Sequence, residues 1–355
     1  MEVPDKYVFP ICENEGAIDS TIRKIYERLA DEETEAIFED RLMYSLTSDY
    51  RYIRRMVLRR KEGRRLYDTL QKAQEHGPIY VYGAGIKGTR IVSIFPDINW
   101  GGFVDQKKGG VNKGLTIYKP DYLLQVAGYV LVSNQVDPWT IKSTLVGEGV
   151  PEDKILILRE FDGNDSIYFD DDIFPNRFGD SEKAFIDVGS FDGTDTIRYL
   201  NWRKRQVPIR VFEADKNNYA LCVENLAGQD KTRIYNIALS DKREKRFFDA
   251  KGTSSSRFAN AGEEVSTDML DNICAIDSVG YIKMDIEGAE GEALMGAKKI
   301  IKQQSPVLAV SIYHRRSDIW EIPRMIIENS DDYVFFLRHY TVGVTDTVLY
   351  AVPRQ

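Results

Sequence analysis

Twice along the chain, short apolar and β-branched runs alternate with stretches of helical spacing, and in each alternation an early run ends in a glycine turn. IYVYGAG passes into KGTRIVSIF, and AFIDVG runs through SFDG to where a helix should begin. Runs of this length and composition read as buried strands, and each intervening helix crosses the chain over to the next. Repetition of that unit predicts parallel α/β sheets rather than a bundle or a sandwich.

The first alternation contains IYVY, GGFVD, YVLVSN and KILIL as strands, with PDYLLQVA and WTIKSTLVGEG helical between them. It predicts a small parallel Rossmann-like α/β domain over 77–162. Before it, over 1–76, Ile22, Ile25, Leu29, Ile37, Phe38, Leu42, Ile53, Val57 and Leu66 recur at helical spacing among charges, which predicts N-terminal helices. FDGNDSIYFDDDIFPNRFGDSEK has little periodicity and reads as a linker and entry element, placing a boundary near Gly163. From there to residue 355 the strands AFIDVG, IRVFEA, RIYNIAL, YIKMDI and VLAVSIY alternate with helices, and YVFFLRHY with TVLYAVP closes the chain as a β-pair. The expected architecture is a doubly wound sheet with a terminal β-hairpin.

Composition narrows the partners. With 56 acidic and 48 basic side chains the net charge is −8, which offers no broad positive field for nucleic acid. Cys12, Cys222 and Cys274 are too few and too scattered for a disulfide framework or a thiolate zinc site, so a reducing compartment is expected. MEVPDKYVFPICENEG lacks the basic and apolar regions of a signal peptide, and no run reaches the roughly 18 to 20 apolar residues of a membrane span. A cytoplasmic protein with no membrane partner is the expectation.

Chemistry concentrates after the first strand of the second alternation. There Asp187, Gly189, Ser190, Asp192 and Gly193 occupy the carboxyl end where ligands of open α/β sheets bind. A pyrophosphate wants amide donors without nearby carboxylates, whereas two aspartates suit a cofactor with a cationic amino-acid end, such as S-adenosylmethionine. Roughly twenty residues on, Glu213, followed by Ala214, stands where a carboxylate accepts from ribose hydroxyls. Helix capping and turn formation are the competing roles for Asp187 and Asp192.

The blocks FIDVGSFDGTDT, VFEADKNNYALCVENL, NIALSD and above all YIKMDIEGAEGEALMGAKKII resemble the FkbM family of S-adenosylmethionine-dependent methyltransferases over about Phe185 to Val352. The resemblance implies a class I methyltransferase fold, with Asp187, Gly189 and Asp192 near the methionine end, Glu213 on the ribose and Ile237 with Ala238 near the adenine. It also implies methylation of hydroxyls on sugars or small metabolites.

An alkyl hydroxyl needs a base or a metal to become nucleophilic at neutral pH. Asp285 and Glu287 sit at the end of YIKMDI with Glu290 one helical turn further, and His314 ends the neighbouring strand, so all point to one sheet edge. Three readings stay open. His314 acts as general base oriented by a carboxylate; or Asp285, Glu287 and His314 hold a divalent cation, Mn²⁺ or Fe²⁺ in preference to Mg²⁺; or the glutamates cap a helix and His314 bonds a loop. Lys283, Arg315, Arg316 and Trp320 are either substrate contacts or ordinary pairs, and Ser254 to Ser256 read as a turn.

Gly83, Gly85 and Gly88 form GxGxxG between strand and helix, with Asp105 closing the next strand, so a second nucleotide site is expected there. It keeps two other functions open: a nicotinamide-dependent oxidoreductase, and a non-catalytic nucleotide-binding scaffold. The apolar stripe of the N-terminal helices could join subunits into a homo-oligomer or pack on its own chain.

Overall fold

A computed structural model gives the structure of the chain and describes residues 15–134, 137–163, 166–179, 181–250 and 256–354. The chain forms two compact units, each assembled from separate segments. One contains the segment ending at Glu35, Ile173–Leu337 and the segment from Leu349; the other contains Ala36–Asp172 and Arg338–Val348.

In the second of these units, strands β1 (Ile79–Tyr82), β2 (Trp100–Val104), β3 (Gly110–Asn112), β4 (Leu115–Tyr118), β5 (Tyr129–Val132) and β6 (Ile155–Ile157) lie in the order β3-β4-β2-β1-β5-β6. Every neighbouring pair is parallel except β3 with β4. Continuous burial along β1 follows from its unbroken apolar run, and Tyr80, Tyr82, Val104, Val130, Val132 and Leu145 form a core on the sheet. The β3–β4 hairpin is an addition to the expected strands. It turns at Lys113 and Gly114, both left-handed with φ 52° and 78°, and its short, largely exposed strands carry little alternation to betray them. PDYLLQVA forms only a 3₁₀ turn, Pro120–Leu124.

The other unit holds β7 (Ala184–Val188), β8 (Ile209–Phe212), β9 (Thr232–Tyr235), β10 (Ala238–Leu239), β11 (Glu244–Asp249), β12 (Arg257–Phe258), β13 (Glu263–Asp268), β14 (Val279–Met284) and β15 (Val307–Ser311). With β16 (Tyr333–His339) and β17 (Thr347–Pro353) a seven-stranded sheet forms in the order β16-β17-β15-β14-β7-β8-β9. β7 pairs in parallel with both β8 and β14, so the chain winds outward one way through β8 and β9 and the other way through β14 and β15. The last two strands are neighbours joined by the short connection 340–346, which only an antiparallel return can span. This is the expected doubly wound sheet with a terminal β-pair. A second sheet of four short strands, β10-β13-β11-β12, was not visible in the periodicity.

Part of the segment read as a linker is core. Phe174 is buried with its ring edge-on to Trp202, Tyr281 and Tyr350, so the chain enters the β7 unit as a packed element. Helix Glu15–Tyr26 packs against helix Asp318–Asn329, and Ala30 N–H donates to Phe335 O at 2.9 Å just beyond it. That stretch of apolar stripe is thus covered by its own chain. Among the described residues no helix is long and apolar enough to cross a membrane.

Candidate active site

Winding reverses between β7 and β14, and at such a reversal the connections leaving the strands run to opposite faces of the sheet and open a crevice at their carboxyl ends. An open cleft lies there, about 980 Å³ when its solvent-filled mouth is included. Gly189, Ser190 and Asp192 after β7, Glu213 and Ala214 after β8, Ile237 and Ala238 after β9, and Asp285 and Glu287 after β14 line it. Asp187, Gly193 and His314 stand behind its wall.

Asp187 is fully buried beneath the glycine turn. Its Oδ2 accepts from Ser190 Oγ at 2.8 Å and Thr196 Oγ1 at 2.7 Å, and its Oδ1 lies 3.1 Å from Lys283 Nζ. Lys283 is 1% exposed, donates to Gly189 O at 2.7 Å and reaches Asp195 at 3.3 Å. Burial alone would strip its proton, but Asp187, Asp195 and Asp285 reverse the balance and hold its pKa above the ordinary lysine value. Asp187 therefore supports the turn through Lys283 and two hydroxyls, and Lys283 is an interior ion-pair partner rather than a surface one.

The turn needs its glycine. Gly189 has φ 77°, and a Cβ there would lie 2.0 Å from Asp285 O, so the turns after β7 and β14 touch backbone to backbone. Gly189→Ala is expected to destabilise the chain by about 1–3 kcal/mol through strain at this contact, read as a lower midpoint in urea. An unchanged midpoint would show that the two turns part freely. Asp192 lines the cleft, and its Oδ1 accepts Thr194 N–H at 2.9 Å at the start of helix Thr194–Arg203.

Glu213 is 7% exposed. Its Oε2 accepts Phe191 N–H at 2.9 Å and its Oε1 accepts Asp215 N–H at 2.8 Å. Burial pushes its pKa up to about 7 against those amides. Each oxygen keeps a further acceptor site for a ligand hydroxyl. Asp215 in turn receives Ser256 Oγ at 2.8 Å, which brings Ser256 to the cleft; Ser254 and Ser255 lie outside the described residues.

Across the cleft, Tyr313 and His314 follow β15. His314 Nδ1 lies 2.9 Å from Glu290 Oε1, and its Nε2 lies 3.3 Å from Asp285 and 3.8 Å from Glu287. Burial opposes a charged ring, yet the hydrogen bond with Glu290 and the charges of Asp285, Glu290 and Glu287 outweigh it and raise the pKa to about 9. The ring is thus an imidazolium at neutral pH. Tyr313 OH donates to Asp285 at 3.2 Å, so the carboxylate facing the cleft is oriented from two sides. Glu287 sits in a left-handed turn at φ 54°, strain that is common where a side chain is aimed at a ligand.

The stretch that builds these walls has relatives. Residues 187–341 match the methyltransferase FkbM domain. The chain carries a methyltransferase FkbM domain. It is 26% identical over 145 residues to the 2-O-methyltransferase NoeI of Sinorhizobium fredii, a match covering 34% of this chain and 59% of that protein. The methyltransferase FkbM of Methylobacillus flagellatus superposes with a TM-score of 0.45 at 18% identity over 80% of this chain and 93% of that one. Fibrillarin of Aeropyrum pernix, solved with S-adenosyl-L-methionine, gives a TM-score of 0.34 at 8% identity over 48% and 67% of the two chains.

Within the FkbM domain, Asp285, Glu290 and His314 offer one ligand atom each within 4.8 Å of one another. In the metal-free chain carboxylates at both nitrogens raise the imidazole pKa to about 9, so a divalent cation bound here would have to displace that proton. Several lining residues escaped the sequence reading: Phe191, Asn218 and Asp195, and the rings of Phe248 and Phe258 from the small sheet. Glu290, expected to charge-complement a helix, does start helix Glu290–Gly296, but it is buried and grips both Ile286 N–H and His314. Arg315 and Arg316 are exposed.

In the β1 unit the glycine motif is packed rather than open. Gly88 lies so close to Gly83 that a Cβ would meet its carbonyl oxygen at 2.1 Å, and Gly83 has φ 106°. Asp105 accepts from the backbone N–H of Ala84 at 3.0 Å and of Lys107 and Lys108 at 2.9 Å, and Lys108 Nζ donates to Ala84 O at 3.0 Å. The acidic residue expected at a ribose is thus holding the turn and its own loop. Gly85 has open space around it.

Proposed function

We propose that the FkbM domain transfers a methyl group from S-adenosylmethionine to a hydroxyl of a sugar or small metabolite. The observation that carries this reading is a cleft at the sheet's reversal point with Glu213 at one wall and the oriented carboxylate of Asp285 at the other. Glu213 would accept from the ribose hydroxyls, and Ile237 and Ala238 would flank the adenine. The name of the Sinorhizobium fredii relative, a 2-O-methyltransferase, supports a hydroxyl acceptor.

When bound, the cofactor supplies an electrophilic sulfonium methyl, whose transfer to oxygen breaks the carbon–sulfur bond and leaves S-adenosylhomocysteine. Asp285 holds the acceptor hydroxyl and takes its proton as the oxygen–carbon bond forms. His314 is a positioning residue: charged, it fixes Asp285 from behind and balances the carboxylates around it.

Two measurements test this. Calorimetric titration of the chain with S-adenosylmethionine should show saturable binding, and none for it or S-adenosylhomocysteine would end the proposal. The pH profile separates the roles of Asp285 and His314. A folded-state pKa of about 9 against 6.5 means that the stability supplied by the charged ring is complete below about pH 6.5 and is lost as pH rises through about 9. Since a charged ring is needed, kcat/KM should fall through the same upper window. A rise there would instead make His314 the base.

A further inference from the structure

Helix Ile86–Ile94, which follows the glycine turn of the β1 unit, carries Lys87 and Arg90 one turn apart. Both border a small cavity that opens to solvent and is lined also by Leu158, Asp162 and the 341–345 loop, all within that unit. Gly83, Gly85 and Gly88 do not line it. Among the described residues, neither cation makes an ion pair or a side-chain hydrogen bond. Burial lowers the Lys87 pKa below the ordinary lysine value, although Asp162 and Asp346 pull it upward. Asp162 is itself half-buried, which raises its pKa, and its Oδ1 accepts Val342 N–H at 3.3 Å.

A half-buried ammonium beside a guanidinium, without counter-ions in contact, costs the folded chain stability; such a cost persists where a bound anion relieves it. We infer that this cavity binds the phosphate group of a small molecule, with Arg90 supplying a planar fork of donors and Lys87 a point charge. This site does not depend on methyl transfer; it places anion recognition on the Lys87 and Arg90 side of the helix rather than over the glycine turn.

The test is calorimetric titration of the full chain with orthophosphate in chloride buffer. Saturable binding is expected, weakened at least tenfold by Lys87→Gln and by Arg90→Gln, while affinity for S-adenosylmethionine stays unchanged in both. In phosphate-free buffer Lys87→Met should raise Tm by about 2 °C, because it removes the uncompensated charge, and should abolish any rise in Tm on adding phosphate. Glucose 1-phosphate and ADP, titrated in parallel, identify the source: whichever binds more tightly than orthophosphate carries the group, and orthophosphate itself is the ligand if neither does. Absence of saturable binding at millimolar phosphate, binding that survives both glutamine variants, or a Lys87→Met chain with a lowered Tm overturns the inference.

Discussion

Lys283→Met is expected to destabilise the chain by about 3–5 kcal/mol, the usual cost of removing one partner from a buried ion pair. Methionine fills the volume but leaves Asp187, fully buried, facing a site with no positive charge. Out of a total stability of about 5–15 kcal/mol this is enough to shift the urea midpoint strongly. The same change frees the Gly189 carbonyl that Lys283 holds at 2.7 Å, so affinity for S-adenosylmethionine should fall by more than tenfold. Adding Asp187→Asn should restore over half of the lost stability, because it removes the stranded charge and keeps an acceptor for Ser190 and Thr196. Asp195, 22% exposed, keeps contact with water when the lysine is gone. A single variant within about 1 kcal/mol of the parent would mean that the interior charges are not what holds the turn.

Legibility in the sequence followed the strength of each physical signal. Strands buried on both faces, β7, β8, β14 and β15, were plain because every residue is apolar or packed, and their order placed the cleft at their carboxyl ends. Lys283 broke the pattern inside such a strand, and its interior role could be read only once Asp187 and Asp195 were known to converge on it. The hairpin β3–β4 stayed hidden because its strands are short and largely exposed, although Asn112-Lys113-Gly114 was a turn signal, and the small sheet because β11 (EKRFFD) and β13 (EEVSTD) are mostly polar and charged. The discontinuity of the two units was equally invisible, since nothing local says that residues 338–348 return to the unit that begins at Ala36. At the site, residue types gave the Asp285, Glu287 and His314 cluster, but not its protonation. That depends on Glu290, which sits on the far side of the ring at 2.9 Å and favours its charged form.

Asp285→Asn should lower turnover by ~10²- to 10⁴-fold, the range for losing a group that moves a proton in the rate-determining step. The amide still accepts from Tyr313 and keeps the shape of the cleft wall, so binding of S-adenosylmethionine should change less than threefold. What it loses is the ability to take the acceptor proton. His314→Gln should do less harm, about tenfold or so, because the ring lies behind Asp285 and acts by fixing it. Asp285→Asn should also lower the pKa of His314, since one of the three carboxylates that sustain its charge is gone; NMR titration of the ring reads this without any substrate. The ordering decides between the two assignments. If His314→Gln costs more turnover than Asp285→Asn, and activity in the asparagine variant climbs with pH as the ring deprotonates, then the imidazole takes the proton and Asp285 only orients it.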